Sequence, residues 1–290
     1  MAHAPHRAFA EESARRSDDA DASDKGRDVV RLIERIRAKY APRITGELVI
    51  PPRAGQYVPF PAGLDARLDH ALRARGIHQL YSHQHQAWNA IMDGQSVVIV
   101  TPTASGKTLC YNLPVLHQAL TTRAKALYLF PTKALSQDQV AEILELNQAG
   151  DLGVRAYTFD GDTPGDARKA VRTHGDIVVT NPDMLHQGIL PHHTKWAQFF
   201  ENLRYVVIDE MHTYRGVFGS HMANVLRRLK RICRFYGSAP VFVFSSATIA
   251  NPGELAHALL GEAVTPILES GAPQGKKHLL LWNPPVINRS

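Results

Sequence analysis

Residues 101 to 108 read TPTASGKT, a turn of small residues closing on Gly106, Lys107 and Thr108. Such a turn aims consecutive backbone N–H groups at one point, and a helix starting at its end adds the positive end of its dipole. Gly106 lets the backbone come close to a phosphate, Lys107 supplies a point charge, and the Thr108 hydroxyl is suited to Mg²⁺. Thr103, Ala104 and Ser105 complete the cradle. Further along, VVIDEMH ends an apolar run on Asp209 and Glu210. A carboxylate at such a place holds Mg²⁺, usually through water, and its neighbour polarises the water that attacks a terminal phosphate. The expected metal pair is therefore Thr108 with Asp209, and the expected catalytic set is Glu210, Asp209 and Lys107.

These groups need elements to position them. Short apolar runs at 96–100, 126–130, 155–159, 176–180, 205–209 and 241–245 alternate with helix-like patterns at about 62–75, 84–93, 107–120, 133–147, 164–173 and 218–236. Continuous apolarity predicts strands covered on both faces, and the alternation predicts parallel crossovers. The expected fold is α/β, a P-loop domain with a largely parallel sheet and helices on both faces. Ligands of such sheets sit beyond the carboxyl ends of the strands.

The chain has 290 residues, 44% of them apolar, enough to bury a sizeable core. Residues 1–27 are charged and poor in large apolar side chains, which predicts a disordered tail. An amphipathic helix from Asp28 and a Pro- and Gly-rich extended connector fill 28–61, the main domain covers 62–272, and KHLLLW at 277–282 reads as the start of a further domain. The N-terminus carries no signal-peptide core and no run of about 18 apolar residues occurs, so no membrane partner and a cytoplasmic location are expected. Two cysteines, Cys110 and Cys233, can build neither a disulfide framework nor a four-cysteine zinc site, and the His83/His85 and His192/His193 pairs lack further ligands at metal spacing. A net charge of +6 favours an anionic partner without naming it. VLRRLKRICR at 225–234 fits a basic solvated helix face better than a DNA-binding stripe.

LYSHQ (80–84), TPTASGKT, PTKALSQDQ (131–139), DGDT (160–163), TNPDML (180–185), DEMH (209–212) and SSAT (245–248) stand in the order and spacing of superfamily 2 helicases. The set resembles the N-terminal RecA-like domain of a DEAD/DEAH-type enzyme. LYSHQ, DGDT and HTYRGVFGSHMANVLRRLKRI are similar to the YprA-like branch, regarded as DNA helicases with a zinc-binding C-terminal region. The resemblance implies ATP and Mg²⁺ as cofactors, with Gln84 reading the adenine edge. It implies that His212 relays nucleotide state toward Ser246 and Thr248. Pro131, Thr132, Lys133, Gly161, Asp162, Thr180, Asn181 and Pro182 are the expected contacts to the backbone of single-stranded or partly duplex DNA. Each of those loops precedes a helix-like pattern, so capping is the competing use of the same groups.

Thr101 stands where phosphate loops usually carry Gly or Ala, a departure the Gly-Lys-Thr end is expected to tolerate. The superfamily hydrolyses ATP between two RecA-like domains, and arginine fingers of the kind the second contributes are worth about 10³–10⁵ in rate. This sequence supplies no second domain and no zinc-binding cysteines, so it is expected to be a piece of a larger helicase, poorly active alone. Two further readings stay open: a non-catalytic nucleic-acid- or partner-binding module, and an ATPase outside the helicases.

Overall fold

Every residue of Val97–Val100, Lys125–Leu129 and Ile177–Thr180 is buried, as unbroken apolar runs require of strands covered on both sides. In the computed structural model, which describes residues 28–285, the elements run in order as α1 (28–40), β1 (Ile44–Ile50), β2 (Tyr57–Val58), α2 (Ala66–Ala74), β3 (Leu80–Tyr81), α3 (Ser82–Met92), β4 (Val97–Val100), α4 (Lys107–Thr122), β5 (Lys125–Leu129) and α5 (Lys133–Gly150). There follow β6 (Ala156–Thr158), α6 (Gly165–His174), β7 (Ile177–Thr180), α7 (Pro182–Met184), α8 (Ala197–Glu201), β8 (Leu203–Ile208), α9 (Gly216–Phe235), β9 (Val241–Ser246), α10 (Pro252–Leu260), β10 (Thr265–Ile267) and β11 (Lys277–Trp282). The tail expected over 1–27 lies outside the described residues.

Residues 54–273 form one compact unit. Its sheet has seven strands in the order β10-β4-β9-β8-β5-β7-β6, and all neighbours are parallel. Side chains alternate across it. Val97, Ile99, Ala126 and Tyr128 enter one apolar core with Leu113 and Leu116 of α4, and Val98, Val100, Leu127 and Leu129 enter the other with Leu226 and Leu229 of α9. The sheet is thus filled on both faces by helices, as the run pattern predicts. Burying a Leu or Val side chain there contributes about 1.5–3 kcal/mol, so it is the covered sheet that holds the loops in place.

Residues 28–53 and 274–285 belong to the second unit. The connector expected over 44–61 departs from that reading, because its first part is strand β1. KHLLLW is strand β11, and its partner is β1, with Glu47 opposite Leu280 and Ile50 opposite Lys277 in an antiparallel ladder. Glu47 accepts hydrogen bonds from Arg37 of α1 and lies 3.1 Å from His278 Nδ1. Those partners, Arg37 before His278, hold its carboxyl below the usual range. Among the described residues no helix is long and apolar enough to cross a membrane.

Candidate functional site

The turn between β4 and α4 is tied at both ends. Thr101 is fully buried and its hydroxyl sits 2.6 Å from that of Ser105. The residue that departs from the usual loop therefore staples the first position to the fifth. Gly106 has φ +75°, a left-handed backbone that a side chain disfavours, and Ala104 adopts φ +61° without being glycine. The Lys107 ammonium donates to the Thr101 carbonyl at 2.8 Å and the Pro102 carbonyl at 3.3 Å.

Two side chains from LYSHQ grip the same turn. Gln84 accepts from Tyr81 N–H at 2.9 Å and donates to the Gly106 carbonyl at 3.0 Å, and it is only 4% exposed. The adenine-reading residue of the expected site is thus turned into the phosphate loop, with one N–H of its amide left over. His83, 1% exposed, accepts Gly271 N–H at Nδ1 (3.1 Å) and so donates from Nε2 to the Ser105 carbonyl (3.1 Å). Burial pushes its pKa below the ordinary value, and the nearby Lys107 charge adds to that. With the carbonyls of Ser105 and Gly106 held from behind, the loop keeps the turn that lets its amides converge. His83 was not among the expected site residues.

Asp209 and Glu210 follow β8. Asp209 Oδ1 accepts Glu210 N–H at 2.8 Å, and Oδ2 lies 3.1 Å from the Tyr111 hydroxyl. Burial, then the Asp209 charge, keeps that phenol protonated well above its usual range. Glu210 has φ +51°, and non-glycine residues held in that region cluster at functional sites. His212 Nδ1 is 3.2 Å from Glu210 Oε2, 3.4 Å from the Ser246 hydroxyl and 3.4 Å from Ala247 N. Ser246 thus lies beside His212. Thr248 is exposed and is not hydrogen-bonded to His212.

The strands explain the meeting. β4, β9 and β8 are neighbours, with Val100 opposite Ser246 and Ile208 opposite Phe244, so the loops after them open side by side. They enclose a cleft of about 420 Å³ lined by Thr103, Lys107, Thr108, Asp209, Glu210 and Ser245, and on the α5 side by Gln139 and Glu142. Glu142 has its carboxyl pKa raised by burial. Ser245 and Gln139 each carry a buried polar atom with no protein partner. A wider cavity of about 650 Å³ between α9 and α10 shares no residue with this cleft and holds none of these groups. Among the described residues no cluster of three or more His, Cys, Asp or Glu is placed to hold a metal. A cleft offering the Thr108 hydroxyl, the strand-end Asp209 carboxylate and the unpartnered Ser245 hydroxyl fits Mg²⁺, which keeps several waters and shares its shell with phosphate oxygens.

The loops after β5, β6 and β7 occupy the other half of the same sheet edge. Lys133 pairs with Asp162 across two of them, which raises the lysine pKa. Asp162 N–H donates to Asp160 Oδ1 at 2.9 Å, so it is occupied within its own turn. Thr132 and Asn181 cap α5 and α7, accepting from Leu135 N and Met184 N. Thr180 departs from its expected place: it is 2% exposed and its hydroxyl donates to the Phe159 carbonyl at 2.5 Å. Pro182 is buried as the first residue of α7, Pro131 and Asn181 are half-buried, and Thr132, Lys133, Gly161 and Asp162 are exposed. In α9, Arg227, Arg231 and Arg234 face solvent over a buried Leu226, Leu229 and Cys233 stripe, while Lys230 is held by Glu262 and the Leu260 carbonyl. That is the solvated basic face expected there.

The profile of the DEAD/DEAH box helicases matches residues 81–255, from LYSHQ to α10. The chain belongs to the DEAD/DEAH box helicases. Over 241 residues it is 57% identical to the uncharacterized ATP-dependent helicase YprA of Bacillus subtilis, covering 83% of this chain and 32% of that one. The ATP-dependent helicase HRQ1 of Saccharomyces cerevisiae is 38% identical over 89% of this chain and 24% of its own length. Among solved structures, the DUF1998 helicase MrfA bound to DNA and AMPPNP superposes with a TM-score of 0.86 at 53% identity, over 90% of this chain and 37% of that one. This DEAD/DEAH box chain therefore spans about a third of those relatives or less. The RecA-like fold, with its YprA-like branch, is shared.

Proposed function

We propose that this DEAD/DEAH box domain binds ATP with Mg²⁺ in the cleft between β4, β9 and β8 and acts as one half of a DNA-directed helicase motor. The observation that carries the reading is the convergence of Lys107, Thr108, Asp209 and Glu210 on one cleft from separate loops. Loop amides and Lys107 take the phosphates. Thr108 and Asp209 hold the metal, which when bound withdraws charge from the phosphate oxygens. Glu210, at 3.2 Å from His212, orients the attacking water and takes its proton. The remaining Gln84 N–H is what the adenine edge can meet. His212 touches both Glu210 and the β9 loop, so a change at the γ-phosphate reaches Ser246.

DNA is proposed as the partner because MrfA was solved with DNA and AMPPNP and because the loops after β5, β6 and β7 present Thr132, Lys133, Gly161 and Asn181 on the same edge. Turnover and unwinding are assigned to this domain joined to a second RecA-like domain. The two free, buried cysteines fit a reducing, cytoplasmic compartment.

The test is titration of the 290-residue chain with a fluorescent ATP analogue and Mg²⁺, beside Lys107→Ala. Binding that drops roughly 10- to 100-fold in the variant, as loss of charged hydrogen bonds predicts, supports the site. Equal binding by both proteins overturns it.

A further inference from the structure

We propose that Tyr111 and Gln139 form a buried relay that fixes the Asp209 carboxylate, and through it sets how tightly the ATP site holds its divalent cation. The inference rests on the cleft being the ATP site.

Tyr111 lies one turn beyond Thr108 on α4 and is 1% exposed. Its hydroxyl is 3.0 Å from Gln139 Oε1 and 3.1 Å from Asp209 Oδ2. A phenol owns one proton and cannot donate to two acceptor oxygens at once. Gln139, from α5, is 5% exposed, and its Nε2 is buried without a partner. A half-turn of the amide exchanges its oxygen and nitrogen, which gives Nε2 a partner, resolves the phenol's conflict and leaves Oε1 on the side that lines the cleft. Gln139 Nε2 then donates to Tyr111 Oη, and Tyr111 donates its proton to Asp209 Oδ2. With Glu210 N–H on Oδ1 at 2.8 Å, each carboxylate oxygen has one fixed donor, and the lone pairs left over point in one set of directions. Tyr111 and Gln139 act through Asp209 and are positioning residues.

The relay also has a fixed polarity. Asp209 is an acceptor, Tyr111 both donor and acceptor, and Gln139 the terminal donor, so a side chain at 139 that can only accept breaks the sequence. Gln139 stands on the helix opened by PTKAL, so the carboxylate is steadied from the half of the domain that carries the proposed DNA loops.

The test measures Mn²⁺ affinity by electron paramagnetic resonance on the 290-residue chain saturated with AMPPNP, and AMPPNP affinity in EDTA. Removing groups that orient metal ligands costs about 10–100-fold in metal affinity. Tyr111→Phe keeps the ring and is expected to weaken Mn²⁺ binding about 10-fold while leaving metal-free AMPPNP binding unchanged. Gln139→Glu is expected to weaken Mn²⁺ binding likewise, and Gln139→Met to have a smaller effect on it, because the Tyr111–Asp209 bond survives. Tyr128→Phe is the control: that hydroxyl donates to Asn112 at 2.9 Å, beside Tyr111 but outside the relay, and Mn²⁺ affinity is expected to hold. Mn²⁺ affinity in Tyr111→Phe equal to wild type overturns the relay and leaves the ATP site standing. Equal losses in Tyr111→Phe and Tyr128→Phe reduce Tyr111 to packing and also overturn it. No AMPPNP binding by the unaltered chain overturns the ATP site and the relay together.

Discussion

The two halves of the sheet's carboxyl edge are built to different standards. After β4, β8 and β9, the loops are tied by fixed partners: Thr101 by Ser105, the Gly106 carbonyl by Gln84, the Ser105 carbonyl by His83, Asp209 by Glu210 N–H. The loops after β5 and β7 cap their own helices, and an exposed Lys133–Asp162 pair joins the loops after β5 and β6. The first half is preorganised for a small charged ligand whose atoms must be met to within fractions of an ångström. The second suits a polymer met at many weak, salt-screened points. Precision costs strain, and the strain is on the first side too, at Ala104 and Glu210.

On that contrast, a single methyl group on the first half is expected to outweigh loss of a whole charge on the second. Gly106→Ala places a Cβ 2.6 Å from Gln84 Nε2 at φ +75°. The left-handed backbone costs about 1–2 kcal/mol, and displacing a buried donor adds about 1–3 kcal/mol. ATP-analogue affinity is expected to fall 10-fold or more by the ~1.4 kcal/mol-per-decade rule, measured by fluorescence titration. Lys133→Ala is expected to weaken single-stranded DNA binding modestly and lower the salt slope by about one contact, read from titrations at several salt concentrations. Asp162→Asn, which frees the lysine, should strengthen DNA binding. An unchanged salt slope in Lys133→Ala would break the comparison.

A pH series sharpens it. His83 has its pKa below the ordinary 6.5, so the folded state binds fewer protons than the unfolded one. Its contribution is full above 6.5 and is lost as pH falls through the depressed value. Melting temperature should therefore drop from pH 7 to pH 5, and drop less steeply in His83→Gln. His117, also lowered by burial, keeps the variant from being flat. The smallest effect goes the other way: Ala104→Gly relieves an exposed left-handed residue and should raise stability by about 1 kcal/mol in urea unfolding.

Much of this edge is legible in the sequence because its strands are short and covered on both faces. Runs such as VVIV have no polar alternation to confuse them, and each ends on a residue that could do chemistry. Residues 185–196 are the counter-case. LHQGILPHHTKW folds as π- and 3₁₀-type turns, periods that the 3.6-residue and two-residue patterns do not detect. β1 was hidden by flanking Pro and Gly, and β10, with Pro266 inside it, has only three residues. The site divides the same way. Lys107, Asp209 and Glu210 announce themselves by type, whereas Tyr111 sits where an apolar helix face calls for an aromatic, and its hydroxyl finds Asp209 98 residues away. Thr180 shows the reverse error, a hydroxyl at a strand end that turns inward.

The ladder of β1 with β11 has a consequence for synthesis. Thr45 and Leu281 are 236 residues apart and share a hydrogen bond, so β1 waits, unpaired and partly apolar, until the chain beyond residue 277 has left the ribosome. Closing so long a loop from an unfolded chain would be slow. The sheet-bearing unit shortens the wait, because it brings Gln56 N–H to the Gly271 carbonyl at 2.8 Å and so delivers both ends of the intervening chain side by side. The ladder is then a local step that follows the sheet: a unit whose middle has not folded leaves β1 without its partner.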